Sequence, residues 1–361
     1  MGIDVADDGH DNDATRANLS GSLRPMMTHV RNDAAPHRPI PMNGDPIGKP
    51  ARRAVCGSTP RVVAYPGSPG AFAHIAGDTV FPDAQCLACQ SVIAATEAVQ
   101  RGRADVAVLP CENILAGRVP DIHLMLPEMK LAIVGEVFQP IELHLIAPLG
   151  NRLDEIERVH SHPVALRQVR RFLSRHALTP IEETNTATAA AELARSGDAK
   201  AAAVASVLAA KTYGLQVLQR NIEDVPSNMT RFYILAGDPH MPPVETKDVL
   251  TCLLFEVRNA PGALFRVIRG FAERDINLTK LESYLIDGQF VATRFLCEFE
   301  GHPESPAVSA ALEELNQHTT TRTTLGVFPK HRVGRRARAD SEEPTAGSSK
   351  APSFHQEHGA S

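Results

Sequence analysis

No stretch of about 18 apolar residues occurs in the 361-residue chain, so no segment is long and apolar enough to cross a bilayer as a helix. The opening MGIDVADDGHDNDATRANLS is acidic and polar, unlike a secretory signal or a transit peptide. MGIDVA also lacks the Ser or Thr expected at the sixth position for myristoylation. These absences predict a cytoplasmic protein. Positive charge is not in excess: 37 Lys and Arg against 42 Asp and Glu give a formal net charge of -5, which leaves no broad basic surface for nucleic acid. Cysteine is sparse. Among six cysteines, Cys86 and Cys89 form a C-x-x-C with no second pair at matching spacing, while Cys56, Cys111, Cys252 and Cys297 stand alone. Four zinc ligands are not supplied, and the thiols read as small, apolar and reduced. A Ser-His-Asp arrangement is missing too. His74, His123, His144 and His162 are scattered and read as surface or packing histidines.

The composition that is present, 43% hydrophobic, suffices for the cores of two or three domains. Residues 1–58 carry Asp, Asn, Pro, Gly and Arg without apolar periodicity and are expected to be disordered, as is the polar tail 331–361 with its short basic cluster RRAR. Between them, residues 60–237 alternate strand-like runs with helix-like ones. RVVAYP, ADVAVLPC, residues 130–138 and 140–148, IERVHSHP and RFYILAG read as strands. SVIAATEAVQRGR, VALRQVRRFLSRHA, TATAAAELARSG and AAAVASVLAAKTYG read as helices, the last two closed by Gly. The order predicts an α/β fold with one or two mostly parallel sheets. Residues 248–329 follow a Pro-containing linker and read βαββαβ, the ferredoxin-like split unit, with a hairpin-like DGQ turn in its middle.

Four polar loops could carry chemistry. In AYPGSPGAFAH, Gly67 and Gly70 let the backbone approach a ligand beside a helix N-terminus, although a plain strand–helix turn has the same pattern. In PCENILAGRV, Glu112 and Asn113 sit at the carboxyl end of a strand, where open α/β sheets bind ligands; Asn113 bonding the backbone of a turn is the alternative. Thr184, Asn185, Thr186 and Thr188 crowd a helix start where one cap suffices, which leaves the others to face a pocket or simply water. In SNMTRF, Thr230 and Arg231 stand at a loop–strand junction, where Arg231 offers a donor fork to a carboxylate, either a ligand's or an internal one such as Glu112 or Asp224. Together they describe a site for a small anion.

These motifs, in this order over about 60–329, resemble the prephenate dehydratase family. AYPGSPGAF is similar to the family's first loop, PCENILAGRV to its P-x-E-N-[ST] loop, TNTATAAAELA to its D-T-A helix start. AAAVASVLAAKTYGL and SNMTRF resemble its A-A-I-A-S…Y-G-L and N-x-T-R-F segments. GALF and INLTKLES stand where the family's regulatory ACT domain has its G-A-L and E-S-R-P motifs. The resemblance implies a two-lobed, periplasmic-binding-protein-like catalytic region over 60–237 and an ACT domain over 248–329. It implies a lyase that removes carbon dioxide and the ring hydroxyl from the dianion prephenate, giving phenylpyruvate for phenylalanine synthesis without metal or organic cofactor. Thr186 would assist the departing hydroxyl. Arg231 would clamp a substrate carboxylate, with Gly67, Gly70, Asn113, Asn185 and Thr230 around the substrate. L-Phenylalanine would act as effector between paired ACT domains, near Gly262, Ala263, Leu264, Asn277, Leu278, Glu282 and Ser283, in a homodimer or homotetramer.

Four positions depart from the family's pattern. Ala73 and Ile114 stand where hydroxyl residues are usual, Asn185 replaces an Asp, and Tyr284 replaces the Arg of E-S-R-P. Loss of two donors to a charged ligand would weaken binding by roughly two to four powers of ten if nothing compensates. The departures leave room for a changed substrate such as arogenate, and Ala73 and Ile114 favour a non-catalytic phenylalanine-binding role; the retained Thr186 and Arg231 favour activity.

Overall fold

The structure, a computed structural model, describes residues 59–119, 122, 125–126, 128–285 and 292–331. The extension 1–58, the tail beyond His331, His123 and the DGQ turn lie outside the described residues.

The chain builds a first lobe around β1 (Val62–Pro66), β2 (Gln85–Cys89), β3 (Val106–Asn113), β5 (Ala132–Pro140) and β11 (Met229–Ala236). A short β4 (Gly117–Arg118) folds back on the end of β3. β1 pairs in parallel with β2 and β3, and β11 lies antiparallel between β3 and β5. Helix α1 (Phe72–Val80) covers one face, over Val63, Tyr65, Phe232 and Ile234; α2 (Val92–Gln100) covers the other, over Ala64, Leu109, Tyr233 and Leu235. The two-residue period of a strand thus sends neighbours of β11 into different cores.

The second lobe has strand order β10-β6-β9-β7-β8, with β6 (His144–Ala147), β7 (Arg158–Ser161), β8 (Thr179–Glu182), β9 (Ala201–Ala205) and β10 (Gln216–Gln219). Its helices are α3 (Pro163–Gln168), α4 (Arg170–Arg175), α5 (Thr186–Ser196) and α6 (Val207–Tyr213). The centre, β9-β7-β8, is parallel, and β6 and β10 run antiparallel to their neighbours. The chain enters this lobe after Pro140 and leaves it before Met229, so two connections form the hinge of a two-lobed α/β region.

Two helix expectations are corrected. AAAVASVLAAKTYG is a strand followed by a helix: Ala201–Ala205 form β9, wholly buried between β6 and β7, and α6 begins after Ser206, whose hydroxyl accepts the Ala209 N–H at 3.0 Å. Alanine favours helix intrinsically, but pairing on both edges in a buried sheet outweighs that preference. VALRQVRRFLSRHA breaks into α3 and α4 at the buried Val169. The loop that returns toward β11 packs on the break. The Asp224 N–H bonds Gln168 O at 2.7 Å, and its carboxylate accepts the Arg171 N–H at 3.2 Å.

The C-terminal block has the expected βαββαβ order: β12 (Val249–Val257), α7 (Ala263–Ala272), β13 (Leu278–Leu285), β14 (Ala292–Glu300), α8 (Pro306–His318) and β15 (Thr319–Pro329). Its antiparallel sheet, β13-β14-β12-β15, has both helices on one face, where Phe271 of α7 packs with Phe255, Phe295 and Phe299 of the strands. The other face meets the first lobe. β15 runs parallel to β5 with Gly326 opposite Ile133, so the two sheets become one of ten strands. A Cβ at Gly326 would lie 2.1 Å from the Ile133 carbonyl oxygen, closer than any side chain permits. Leu250, Cys252, Leu296 and Phe328 share one apolar core with Leu109, Cys111 and Tyr233.

Candidate active site

The lobes meet where the β1–α1 loop of the first lobe touches the starts of α5 and α6 in the second. Gly70 has φ +89°, a backbone that L side chains rarely adopt, and a Cβ there would come within 2.5 Å of Ala209 Cα. Its carbonyl accepts the Ser206 hydroxyl at 2.6 Å. Ser68 Oγ lies 3.0 Å from Thr188 Oγ1, a direct lobe-to-lobe link. Gly67 opens the loop at φ +105°, and its N–H donates to Cys89 O at 2.8 Å.

Thr186 is the first residue of α5 and is half-buried beside this contact. Asn185 is its N-cap: Oδ1 accepts the Thr188 N–H at 2.8 Å and Nδ2 donates to Thr188 Oγ1 at 2.6 Å. Thr188 Oγ1 therefore connects the cap amide to Ser68. The cap uses Thr188 rather than Thr186, which leaves the Thr186 hydroxyl without a hydrogen-bond partner among the described residues. As first and second residues of the helix, Thr186 and Ala187 have N–H groups with no intrahelical acceptor. An eleven-residue helix so opened presents donors and a positive dipole end at the interlobe contact.

The third polar group is a seam at the hinge. Asn113 Nδ2 donates to Thr230 Oγ1 at 2.8 Å and to Asn228 Oδ1 at 2.9 Å, and Asn113 Oδ1 accepts the Leu115 and Ala116 N–H groups at 3.0 and 2.9 Å. Asn228 reaches on to Gln168 Oε1 of the second lobe at 2.9 Å. Asn113 and Thr230 are 9% and 8% exposed. The amide of Asn113 is fully used within the protein, so it ties the hinge together rather than offering itself to a ligand.

Arg231 is not part of this group. Its side chain leaves β11 on the opposite face from Thr230, toward the C-terminal sheet. Nε donates to Glu136 Oε2 at 2.7 Å, and Nη1 and Nη2 donate to Glu298 at 2.7 and 3.1 Å. Tyr233 also donates its hydroxyl to Glu298, and Glu112 Oε2 lies 4.0 Å from Arg231 Nη1. Glu136 and Glu298 are 5% and 1% exposed. The internal pairing left open from the sequence is what the structure contains, but with Glu136 and Glu298 instead of Asp224, and with Glu112 at the margin. The reason is strand geometry: consecutive residues cannot face one cleft. Burial alone would push the Arg231 guanidinium down, yet Tyr233, Glu298 and Glu136 hold it above its ordinary range. Burial raises the Glu136 carboxyl, more than Arg231 beside it lowers it.

Of the departures noted in the sequence, Ala73 lies on the buried face of α1, packed in the first-lobe core, and Ile114 is 67% exposed on its loop. Tyr284 is half-buried against the shared core, and burial raises its hydroxyl. The residues expected to hold an effector divide between two places. Gly262, with φ +73°, starts α7, followed by buried Ala263 and half-buried Leu264. Exposed Asn277 leads into β13, which carries half-buried Leu278 and exposed Ser283. Glu282 turns the other way, toward the first lobe, and bonds Arg118 at 3.1 Å and Lys280 at 3.3 Å. The sequence reading missed Ser68, Ser206, Asn228, Gln168 and Glu298 as parts of these contacts. Ser68, Ser206 and Asn228 lie inside AYPGSPGAF, AAAVASVLAAKTYGL and SNMTRF; nothing local to Gln168 or Glu298 marks them.

A family model for prephenate dehydratase matches residues 63–240, and one for the ACT domain matches 253–317. The chain is 45% identical over 269 residues to a bifunctional N-acyl-homoserine lactone acylase/prephenate dehydratase of Komagataeibacter europaeus, covering 74% of this chain and 96% of that protein. It is 32% identical over 318 residues to the chloroplastic arogenate dehydratase/prephenate dehydratase 1 of Arabidopsis thaliana, covering 84% and 81%. Among solved structures, a prephenate dehydratase of Arthrobacter aurescens in complex with L-Phe matches with TM-score 0.69 at 29% identity, covering 74% of this chain and 89% of that one. A quorum-quenching acylase matches with TM-score 0.71 at 45% identity, covering 75% and 98%. The chain belongs to the prephenate dehydratase family, whose prephenate and arogenate dehydratases are lyases, and it carries the family's catalytic and ACT regions in that order.

Proposed function

We propose that this chain converts prephenate to phenylpyruvate, carbon dioxide and water, and that L-phenylalanine bound to its ACT domain inhibits it. The observation that carries the reading is the unshared hydroxyl of Thr186 at the start of α5, beside the contact between the lobes. In the reaction the bond from ring carbon to carboxylate breaks, its electron pair enters the ring, and the ring hydroxyl departs. The departing oxygen takes up one proton, which comes in the end from solvent, to leave as water. Thr186 Oγ–H donates to that oxygen, and the N–H groups of Thr186 and Ala187 stabilise the negative charge developing on it. Aromatisation supplies the driving force; the protein orients a dianion. With Arg231 engaged by Glu136 and Glu298, the substrate's carboxylates depend on helix-terminal N–H groups and cleft hydroxyls.

Effector binding is supported by the L-Phe complex of the Arthrobacter aurescens relative. A homodimer or homotetramer is supported by β13, an outer strand of the ten-stranded sheet with exposed Leu281 and Leu285, and by exposed Phe265 on α7. The test is to incubate the purified chain with prephenate and, separately, with arogenate, following phenylpyruvate and phenylalanine. Phenylpyruvate above the spontaneous rate is expected. Phenylalanine from arogenate alone would reassign the substrate, and neither product would end the lyase reading.

A second reading follows from the 45% identity to a relative named for two activities. It is hydrolysis of the amide of an N-acyl homoserine lactone to a fatty acid and the free amine. Release of homoserine lactone, lost in Ser68→Ala or Thr186→Ala, is the measurement that would establish it.

A further inference from the structure

Two side chains of the ACT sheet reach across to the residues paired at the end of β3 and β11. In register, Thr230 faces Asn113 and Arg231 faces Glu112. One member of each strand turns to the hinge seam; the next turns to the ACT domain. Arg231 is gripped by Glu298 of β14, and Glu112 Oε2 accepts from Lys280 Nζ of β13 at 3.1 Å. Lys280 is 9% exposed and also pairs with Glu282, which holds Arg118 of β4. From the first lobe, Glu136 of β5 closes the other side of Arg231, and its second oxygen accepts the His331 N–H at 2.9 Å. β11 and the end of β3 are therefore held from below by ACT carboxylate and ammonium groups. From above they carry Asn113, Thr230 and Asn228, the groups that join the lobes.

We infer that Glu298 is a positioning residue for the interlobe hinge, acting through Arg231 on the backbone that carries Thr230, and that the Lys280–Glu112 pair does the same for Asn113. An ionic grip of this kind has a geometric consequence. Arg231 offers Nε and one Nη to Glu136 and both Nη atoms to Glu298, so a shift of β14 relative to β5 changes the angle of the guanidinium plane and of the strand behind it. The cleft-facing residues one position away move with it, because adjacent residues share a peptide plane. Any rearrangement of the ACT sheet on binding a ligand thus reaches the hinge by two parallel contacts. That the ligand is L-phenylalanine rests on the function proposed above; the positioning of the hinge by Glu298 does not.

The test compares the full chain with Glu298→Gln, Glu112→Gln and a control, Glu314→Gln, which weakens the half-buried ion pairs of Glu314 with Arg269 and Arg274 inside the ACT domain, away from the hinge. Backbone hydrogen exchange is followed at residues 228–231 and 139–143, with 201–205 in the second-lobe core as reference. Glu298→Gln is expected to accelerate exchange at the hinge about tenfold relative to 201–205, and to weaken inhibition by L-phenylalanine by a similar factor, the usual scale of coupling between sites. KM for prephenate should rise more than kcat falls, because a smaller fraction of molecules holds the binding-competent arrangement. Glu112→Gln, with a half-exposed side chain, should act in the same direction at about threefold, whereas Glu314→Gln should not act at the hinge. Unchanged hinge exchange in Glu112→Gln and Glu298→Gln, or acceleration spread equally over 201–205, would overturn the inference. Should Glu298→Gln not fold, Glu112→Gln decides by the same exchange criterion. A chain that does not turn over prephenate sinks the proposed function, while the exchange data still judge Glu298.

Discussion

Thr230 and Arg231 are consecutive in β11 and bind opposite halves of the molecule. The Thr230 hydroxyl accepts Asn113 Nδ2 at 2.8 Å on the hinge side, and the Arg231 guanidinium meets Glu298 of the ACT sheet at 2.7 Å on the other. Arg231→Ala is therefore expected to act first on folding. Removing one partner of a buried ion pair costs about 3–5 kcal/mol, because Glu136 and Glu298 are left facing each other without a cation. The midpoint of urea unfolding measures this. A variant of unchanged stability whose KM alone rises would restore Arg231 to the role of substrate clamp.

Thr186→Ala should lower turnover by roughly 100-fold or more while ligand affinity changes little, since the hydroxyl acts on an oxygen that leaves only in the transition state. Thr186→Ser should recover most of the activity. The cap remains intact in both, because Asn185 bonds Thr188 and not Thr186. Steady-state kinetics beside direct binding separates the two effects; equal loss in both would mark Thr186 as a residue of local structure.

Ser68→Ala removes the hydrogen bond to Thr188 that joins the lobes. A neutral bond of this kind contributes about 0.5–1.5 kcal/mol, so KM should rise roughly two- to tenfold with thermal stability nearly unchanged. Gly70→Ala has a harsher outcome, since its Cβ would stand 2.5 Å from Ala209 Cα at a φ of +89°. The lobes cannot approach as they do here, and small-angle scattering should report a wider molecule with little activity.

Gly326→Ala tests the junction of the two sheets. The added carbon would meet the Ile133 carbonyl at 2.1 Å, so β15 must separate from β5. Backbone atoms on both sides cannot give way, and a loss of several kcal/mol is expected, above the roughly 1–3 kcal/mol usual for overpacking. Thermal unfolding should divide into two transitions if the ACT domain then melts apart from the first lobe.

Acid should destabilise the fold through its histidines. Burial lowers the pKa of His74, His144, His162 and His331. For a base whose folded pKa is depressed, stability is present above the unfolded value of about 6.5 and is lost as pH falls through the folded value, because the unfolded chain binds the extra proton. Each such histidine can add up to about 1.4 kcal/mol per pH unit within that window. Unfolding midpoints between pH 7 and pH 5 should fall steadily. His144 accepts the Asn221 N–H through Nδ1 at 3.1 Å, so His144→Asn, which keeps an acceptor, should flatten part of the slope.

Much of this protein is legible in its sequence. The βαββαβ order of the last block follows from apolar periods and turn residues, and the Thr186 helix start from a crowd of capping side chains. These signals are local: propensity, capping and alternation act over a few residues. AAAVASVLAAKTYG misled because alanine reports intrinsic preference, whereas β9 is a strand only by virtue of its two flanking partners. Tertiary structure alone decided where Arg231 goes. The sequence places it beside Thr230 at a strand entrance, but which face meets a cleft and which meets Glu298, 67 residues on, depends on how β15 joins β5 at Gly326. Pairing between distant strands has no short-range signature, because its energy lies in contacts that exist only after the chain has closed.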